Sequence, residues 1–159
     1  MNIRRATIAD MSGINKLLHQ VLMVHHNGRP GLFKANAKKY TDDELALIIA
    51  EDKAPIFVAV EENAPEGEIL GYAFCVFQQH MDNNILTDVK SLYIDDLCVD
   101  EEKRGLHIGK ELYEYVLLYA REQRCYNVTL NVWSCNVSAM KFYEKCGLVP
   151  QKVHMEKIL

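Results

Sequence analysis

The sequence predicts an α+β domain in which a mixed, mostly antiparallel central sheet is flanked by helices. Three observations carry that prediction. Apolar residues recur at spacings of three and four from Met11 to Val24 and again from Ile108 to Arg124, the pattern of amphipathic helices. Between them, Ile56–Val60, Ile69–Phe77 and Ser91–Val99 are successive apolar runs separated by turn-forming residues, which predicts an antiparallel meander. After the second helix, a strand at Val128–Val132 precedes another helix at Asn136–Cys146, so strands and helices mix along the chain.

The elements follow in order. Asn2 to Ala6 alternates weakly and leads to Thr7 and Asp10, either of which could cap the first helix. That helix ends near His25, His26, Asn27 and Gly28, and His25 to Phe33 holds two glycines, a proline and an Asn-Gly pair, which argue against a regular element there. Thr41-Asp42-Asp43-Glu44 has capping-box spacing ahead of Leu45, Ile48 and Ile49, so a short helix is expected to finish before Pro55. Glu61 to Glu68 is a polar connection, and Gln78 to Asp88 continues or bends the strand before it. Gly147 suits a helix C-cap, and a final strand is expected from Val149 to Lys157.

Composition narrows the function. The 159 residues, 49% hydrophobic, form a single domain over 1–159, and a formal charge of −4 speaks against nucleic acid as a partner while suiting an amine-bearing substrate. No stretch approaches the roughly 20 apolar residues of a membrane span, so no membrane partner is expected. Cys75, Cys98, Cys125, Cys135 and Cys146 include no Cys-x-x-Cys and read as reduced core thiols of a cytoplasmic protein. His25 and His26 lack a spaced third ligand, so no metal is expected; they read as loop histidines at a substrate mouth. Neither Cys98 nor Cys135 has a histidine partner by spacing.

The stretch from Leu92 to Leu112 passes from an apolar strand through a charged turn and a glycine-containing basic loop into a helix. A loop of converging N–H groups followed by a helix N-terminus offers unpaired donors and a positive dipole end to a phosphate. Gly105 and Gly109 allow close approach of the main chain, and Lys103, Arg104 and Lys110 add positive charge.

Two motifs in this order resemble the GNAT superfamily of acyl-CoA-dependent N-acyltransferases. Arg104-Gly105-Leu106-His107-Ile108-Gly109 is similar to the family's pyrophosphate loop, Arg/Gln-x-x-Gly-x-Gly/Ala, with His107 in place of the first motif glycine. There the side chain is expected to point away from the pyrophosphate and to keep φ negative. Asn136, Ala139, Tyr143, Glu144, Lys145 and Gly147 match the late helix signature Asn-x-x-Ala-x-x-x-Tyr-Glu-Lys-x-Gly.

The resemblance implies acetyl-CoA as cosubstrate and direct attack by an amine in a ternary complex. It places Arg104, Gly105, Leu106, His107, Ile108, Gly109 and Lys110 around the pyrophosphate. Main-chain groups of a strand splayed near Leu97, Cys98 and Val99 would face the acyl and pantetheine portion, in the manner of an oxyanion hole. Tyr143 would protonate the leaving thiolate. Asn136 would cap its helix and contact the pantetheine or the adjoining strand. Asp95 is carried over as general base, or the proton leaves by a water chain. Strand neighbours point to opposite faces, so Asp96 is expected to do a different job, capping an element or pairing with a cation. Trp133 is expected beneath the cofactor cleft, and Val24 to Tyr40 is where the family places its acceptor loops. The acceptor is a small-molecule amine or a protein N-terminal amine. Homodimers are common in the family, which makes a second copy the implied partner. A non-catalytic acyl-CoA sensor is the alternative, kept open by His107.

Overall fold

The structure, a computed structural model, describes residues 1–159 except Ala64 and Glu66; both fall in the polar connection expected at Glu61–Glu68. Five strands, β1 (Asn2–Arg5), β2 (Ile56–Val60), β3 (Gly71–Gln79), β4 (Lys90–Val99) and β5 (Asn127–Leu130), form one sheet in chain order. The first four are antiparallel and β5 joins β4 in parallel. Helices α1 (Met11–Gly28) and α2 (Asp42–Ala50) cover one face, while α3 (Ile108–Glu122) and α4 (Val137–Lys145) cover the other. The α+β expectation holds, meander included.

Apolar spacing explains the two layers. Ile14, Leu17 and Leu18 of α1 and Leu45 and Ile49 of α2 are buried against Val58, Tyr72 and Phe74. On the opposite face, Tyr113, Val116 and Ala120 of α3 pack on Phe57, Ala73, Leu92 and Ile94. The capping box at α2 is present in both halves, Thr41 Oγ1 accepting from Glu44 N–H at 3.2 Å and Glu44 accepting from Thr41 N–H at 2.8 Å.

Several expectations are corrected. Helix α1 runs through His25 and His26 to Gly28, and Arg29 N–H still donates to the His25 carbonyl at 2.8 Å. The following loop is tied back by a 2.7 Å contact between His26 Nδ1 and the Phe33 carbonyl, so tertiary contacts override the local turn chemistry. Asp10 makes no side-chain cap on α1; it is buried and takes two hydrogen bonds from Arg4, at 2.7 and 2.9 Å. No strand forms at Val149–Lys157: Val149, Val153, Met155 and Ile158 are exposed, and a strand needs a hydrogen-bonding neighbour that this segment lacks among the described residues. Cys135 is an exposed loop residue instead of a core thiol.

Candidate active site

Strand β4 is the axis of the site, and its pairing changes half-way. It is bonded to β5 only from Ser91 to Ile94, opposite Asn127 to Leu130, and beyond Ile94 it keeps β3 alone. Asp100 N–H donates to the Leu70 carbonyl, on the β3 side. Antiparallel alternation therefore turns Cys98 toward β3 and aims the N–H and C=O groups of Leu97 and Val99 at the opened β5 side. This is the splayed edge the resemblance implies. It also removes Cys98 from the edge: the Cys98 side chain is buried under α1, where burial pushes its thiol up to about 12.

The second feature of β4 is a bulge. Phe74 pairs with Asp96 but Cys75 pairs with Ile94, leaving Asp95 as an extra residue. The bulge breaks the alternation on which the separation of Asp95 from Asp96 rested. Leu92 and Ile94 face α3, Cys98 faces α1, and both carboxylates turn to the α1 face. Lys39 Nζ joins them, 3.1 Å from Asp95 Oδ2 and 3.8 Å from Asp96 Oδ2. Both acids pair with Lys39, the kind of cation partner expected for Asp96.

Their environments differ. The Asp96 side chain is 13% exposed and accepts a 2.9 Å hydrogen bond from the Tyr72 hydroxyl, whereas Asp95 is 35% exposed. Burial raises the Asp96 carboxyl above its ordinary value, and Lys39 and Tyr72 offset only part of the rise. Burial acts against the Lys39 ammonium, but Asp96 and Asp95 outweigh it and hold the amine charged. Tyr40 stacks on Phe74, and burial lowers the pKa of nearby His25.

The glycine-containing loop of residues 104–110 follows the end of β4. Gly105 has φ +84 and His107 has φ +61, so His107 is left-handed and the expectation of a negative φ fails. Alternation of this kind turns successive N–H groups inward as an anion nest, and the imidazole is carried outward, exposed. Helix α3 begins at Ile108 with no side-chain hydrogen bond on its cap. Its first N–H groups, including those of Gly109 and Lys110, await an acceptor. Arg104 and Leu106 are exposed beside them. A Cβ at Gly109 would lie 3.4 Å from Val99 and 3.6 Å from Phe142, so β4, the loop and α4 converge here.

On α4, the Asn136 carboxamide accepts from Ala139 N–H at 3.2 Å and caps the helix, and Gly147, φ +88, closes it. Tyr143 sits one residue past Phe142 and packs against Tyr113. Burial, reinforced by the nearby Asp96 carboxylate, holds its phenol well above the ordinary value of 10, so it stays a proton donor. Trp133 is not packed into the interior as expected. It is 41% exposed, meets Phe33 edge-on at 5.2 Å and has Arg29 over its face, which places it with the loop that follows α1.

The structure thus brings Asp95, Leu97, Val99, the 104–110 loop and Tyr143 around the splayed half of β4, with Asn136 capping the helix that carries Tyr143. Lys39 and Tyr72 escaped the sequence reading, which expected Asp96 to cap an element or pair with a cation without naming the partner. Only the bulge reveals them, and a pair of acids inside an apolar strand was its one visible sign. Among the described residues there is no cluster of three or more metal-ligating side chains, and no helix is long and apolar enough to cross a membrane.

Comparison with known proteins agrees with this layout. The family model described as Acetyltransferase (GNAT) family matches residues 23–148. Glucosamine 6-phosphate N-acetyltransferase of Arabidopsis thaliana is 35% identical over 120 residues, which span 76% of this chain and 68% of that protein. A probable glucosamine 6-phosphate N-acetyltransferase of Drosophila melanogaster is 32% identical over 93 residues, covering 58% of this chain and 40% of its own length. Among solved structures, a mutant of the BH1408 protein from Bacillus halodurans superposes with a TM-score of 0.93 at 30% identity, over 100% of this chain and 99% of that one. The Arabidopsis glucosamine-6-phosphate N-acetyltransferase structure gives a TM-score of 0.70 at 26% identity, over 99% and 97%.

Proposed function

Because this chain belongs to the GNAT family of acetyltransferases, we propose that it transfers the acetyl group of acetyl-CoA to the primary amine of an amino sugar phosphate of the glucosamine 6-phosphate kind. The observation that carries an amine acceptor is the pair Asp95 and Asp96, turned by the bulge onto one face and already holding an ammonium group. The sugar phosphate is supported by the names of the relatives in Arabidopsis and Drosophila.

The residues present fit acetyl-CoA. Its uncapped first-turn donors give α3 a place for the pyrophosphate, with left-handed Gly105 and His107 before it and Arg104 beside it. Bound there, acetyl-CoA supplies an activated acetyl group as a thioester. Leu97 N–H, on the opened edge, donates to the acyl oxygen as charge develops. Asp96 takes a proton from the acceptor ammonium, directly or through water; burial raises its carboxyl above the ordinary value and strengthens it as a base, so it takes the role that sequence reasoning assigned to Asp95. Tyr143 donates to the departing sulfur. A module that only sensed acyl-CoA would need neither base nor donor.

Two further expectations stay as part of this reading. The exposed apolar residues Val153, Met155 and Ile158 favour a second copy of the chain as partner, which sedimentation would test. The five unpaired cysteines favour the cytoplasm.

Thiol release from acetyl-CoA, compared for glucosamine 6-phosphate, glucosamine and a peptide with a free N-terminus, tests the function. The highest kcat/KM is expected for the sugar phosphate. A faster peptide reaction would move the acceptor to a protein N-terminus, and no release with any amine would remove the enzymatic reading.

A further inference from the structure

The acceptor face of β4 already contains a primary amine. Lys39 Nζ lies between Asp95 and Asp96, and 5.3 Å from the centre of the Tyr40 ring. Two carboxylates and an aromatic face are the groups that recognise an ammonium ion arriving from solution. The chain delivers Lys39 there by construction. Thr41 and Glu44 fix the start of α2 two residues later, and Tyr40 is stacked on Phe74 of the sheet. Lys38, its immediate neighbour, turns away to Asp42 at 2.6 Å.

We propose that Lys39 is an internal acceptor: its ε-amine occupies the position of the acceptor amine and is itself acetylated when acetyl-CoA is present and no external amine competes. This rests on the acetyltransferase reading above. The step uses the same groups and balances without an added reagent. The Lys39 ammonium gives one proton to Asp96, and the nitrogen lone pair forms a C–N bond to the thioester carbonyl carbon. The C–S bond breaks, and the second amine proton leaves on the CoA sulfur by way of Tyr143, giving a thiol. Asp96 then returns its proton to solvent. Nothing is oxidised or reduced.

The product has a consequence for the site. Nε-acetyl-Lys39 carries no charge, so its ion pairs with Asp95 and Asp96 are lost and both carboxylates turn to an external amine. Unmodified, Lys39 competes with that amine for the same two oxygens.

The full chain incubated with acetyl-CoA alone, followed by peptide mass spectrometry, tests the inference. Lys34 and Lys38, on the same loop, report uncatalysed transfer. Lys39 is expected to be acetylated faster than either, at a rate independent of protein concentration, and glucosamine is expected to slow it. Acetylation of Lys39 no faster than of Lys34 and Lys38 overturns the inference. A second measurement needs no acetyl-CoA: in calorimetric titration with glucosamine, Lys39→Met is expected to bind several-fold more tightly than the parent, and equal or weaker binding overturns the occupancy. Turnover on an external amine by a protein whose Lys39 stays unmodified after incubation with acetyl-CoA alone sinks this inference alone. Absence of both turnover and acetyl-CoA binding sinks the acetyltransferase reading with it.

Discussion

The Tyr72 hydroxyl donates to Asp96 Oδ2 at 2.9 Å from the neighbouring strand, fixing a carboxylate whose pKa burial holds above its ordinary value. Asp95, on the bulge, has Lys39 but, among the described residues, no such strand-borne donor. The pair is therefore asymmetric, and the asymmetry is measurable.

Asp96→Asn is expected to lower kcat by about 100-fold or more while acetyl-CoA affinity, measured by calorimetry, stays unchanged. Asp95→Asn is expected to cost less. In the parent, the rate falls as pH drops through the raised Asp96 pKa, because the protonated carboxyl can no longer accept a proton. That acid limb disappears in Asp96→Asn. An Asp95→Asn profile that lost the limb instead would return the base to Asp95.

Tyr143→Phe is expected to reduce kcat by roughly 100-fold and to leave calorimetric acetyl-CoA binding intact. Since burial and Asp96 hold the phenol above its ordinary value of 10, Tyr143 adds no alkaline limb to the rate profile at or below that pH. Unchanged kcat would reduce Tyr143 to packing.

Gly105 and His107 predict opposite outcomes. With φ +84, Gly105→Ala forces an L side chain into the left-handed region at a cost of about 1–2 kcal/mol and weakens acetyl-CoA binding. His107→Gly relieves such strain at φ +61, so thermal stability rises by about 1 kcal/mol and acetyl-CoA affinity holds or improves. Lost affinity in His107→Gly would show that the imidazole itself meets the cosubstrate.

Asp10 governs a stability window. Burial raises its pKa, but the Arg4 and Thr7 hydrogen bonds and the Arg4 charge outweigh it, so the folded value lies below 3.8. The unfolded chain then binds more protons between the two values; stability is fully present above 3.8 and is lost as pH falls through the folded pKa. Denaturant midpoints measured against pH should show this loss in the parent and a flatter curve in Asp10→Asn. Arg4→Ala, which strands a buried carboxylate, is expected to destabilise by roughly 3 kcal/mol at neutral pH.

Where one residue's type fixed its surroundings, the sequence was legible. Thr41 and Glu44 announced α2, Gly147 closed α4, and the β2–β3–β4 order followed from three apolar runs. The glycine loop opening α3 and the helix carrying Tyr143 were legible because their spacing is local. What escaped depended on contacts distant in sequence. His25 to Gly28 became helical because Phe33 ties the turn back to His26, and the tail failed as a strand for want of a neighbour. Lys39 meets Asp95 only after the sheet assembles, and no local pattern marks that meeting.

The bulge at Asp95 leaves the rest of β4 indifferent to whether that residue is present. Side chains along a strand obey an odd-even rule, and a single supernumerary residue shifts the count for everything after it. Phe74 and Cys75 already face Asp96 and Ile94, so removing that one codon would make the latter two ordinary neighbours and restore the count. Asp96 and Cys98 would keep the α1 face and Leu97 the α3 face, and only the Asp95 carboxylate would leave Lys39. Deletion of Asp95 is therefore expected to fold as the parent does and to remove one carboxylate from the site without moving the other.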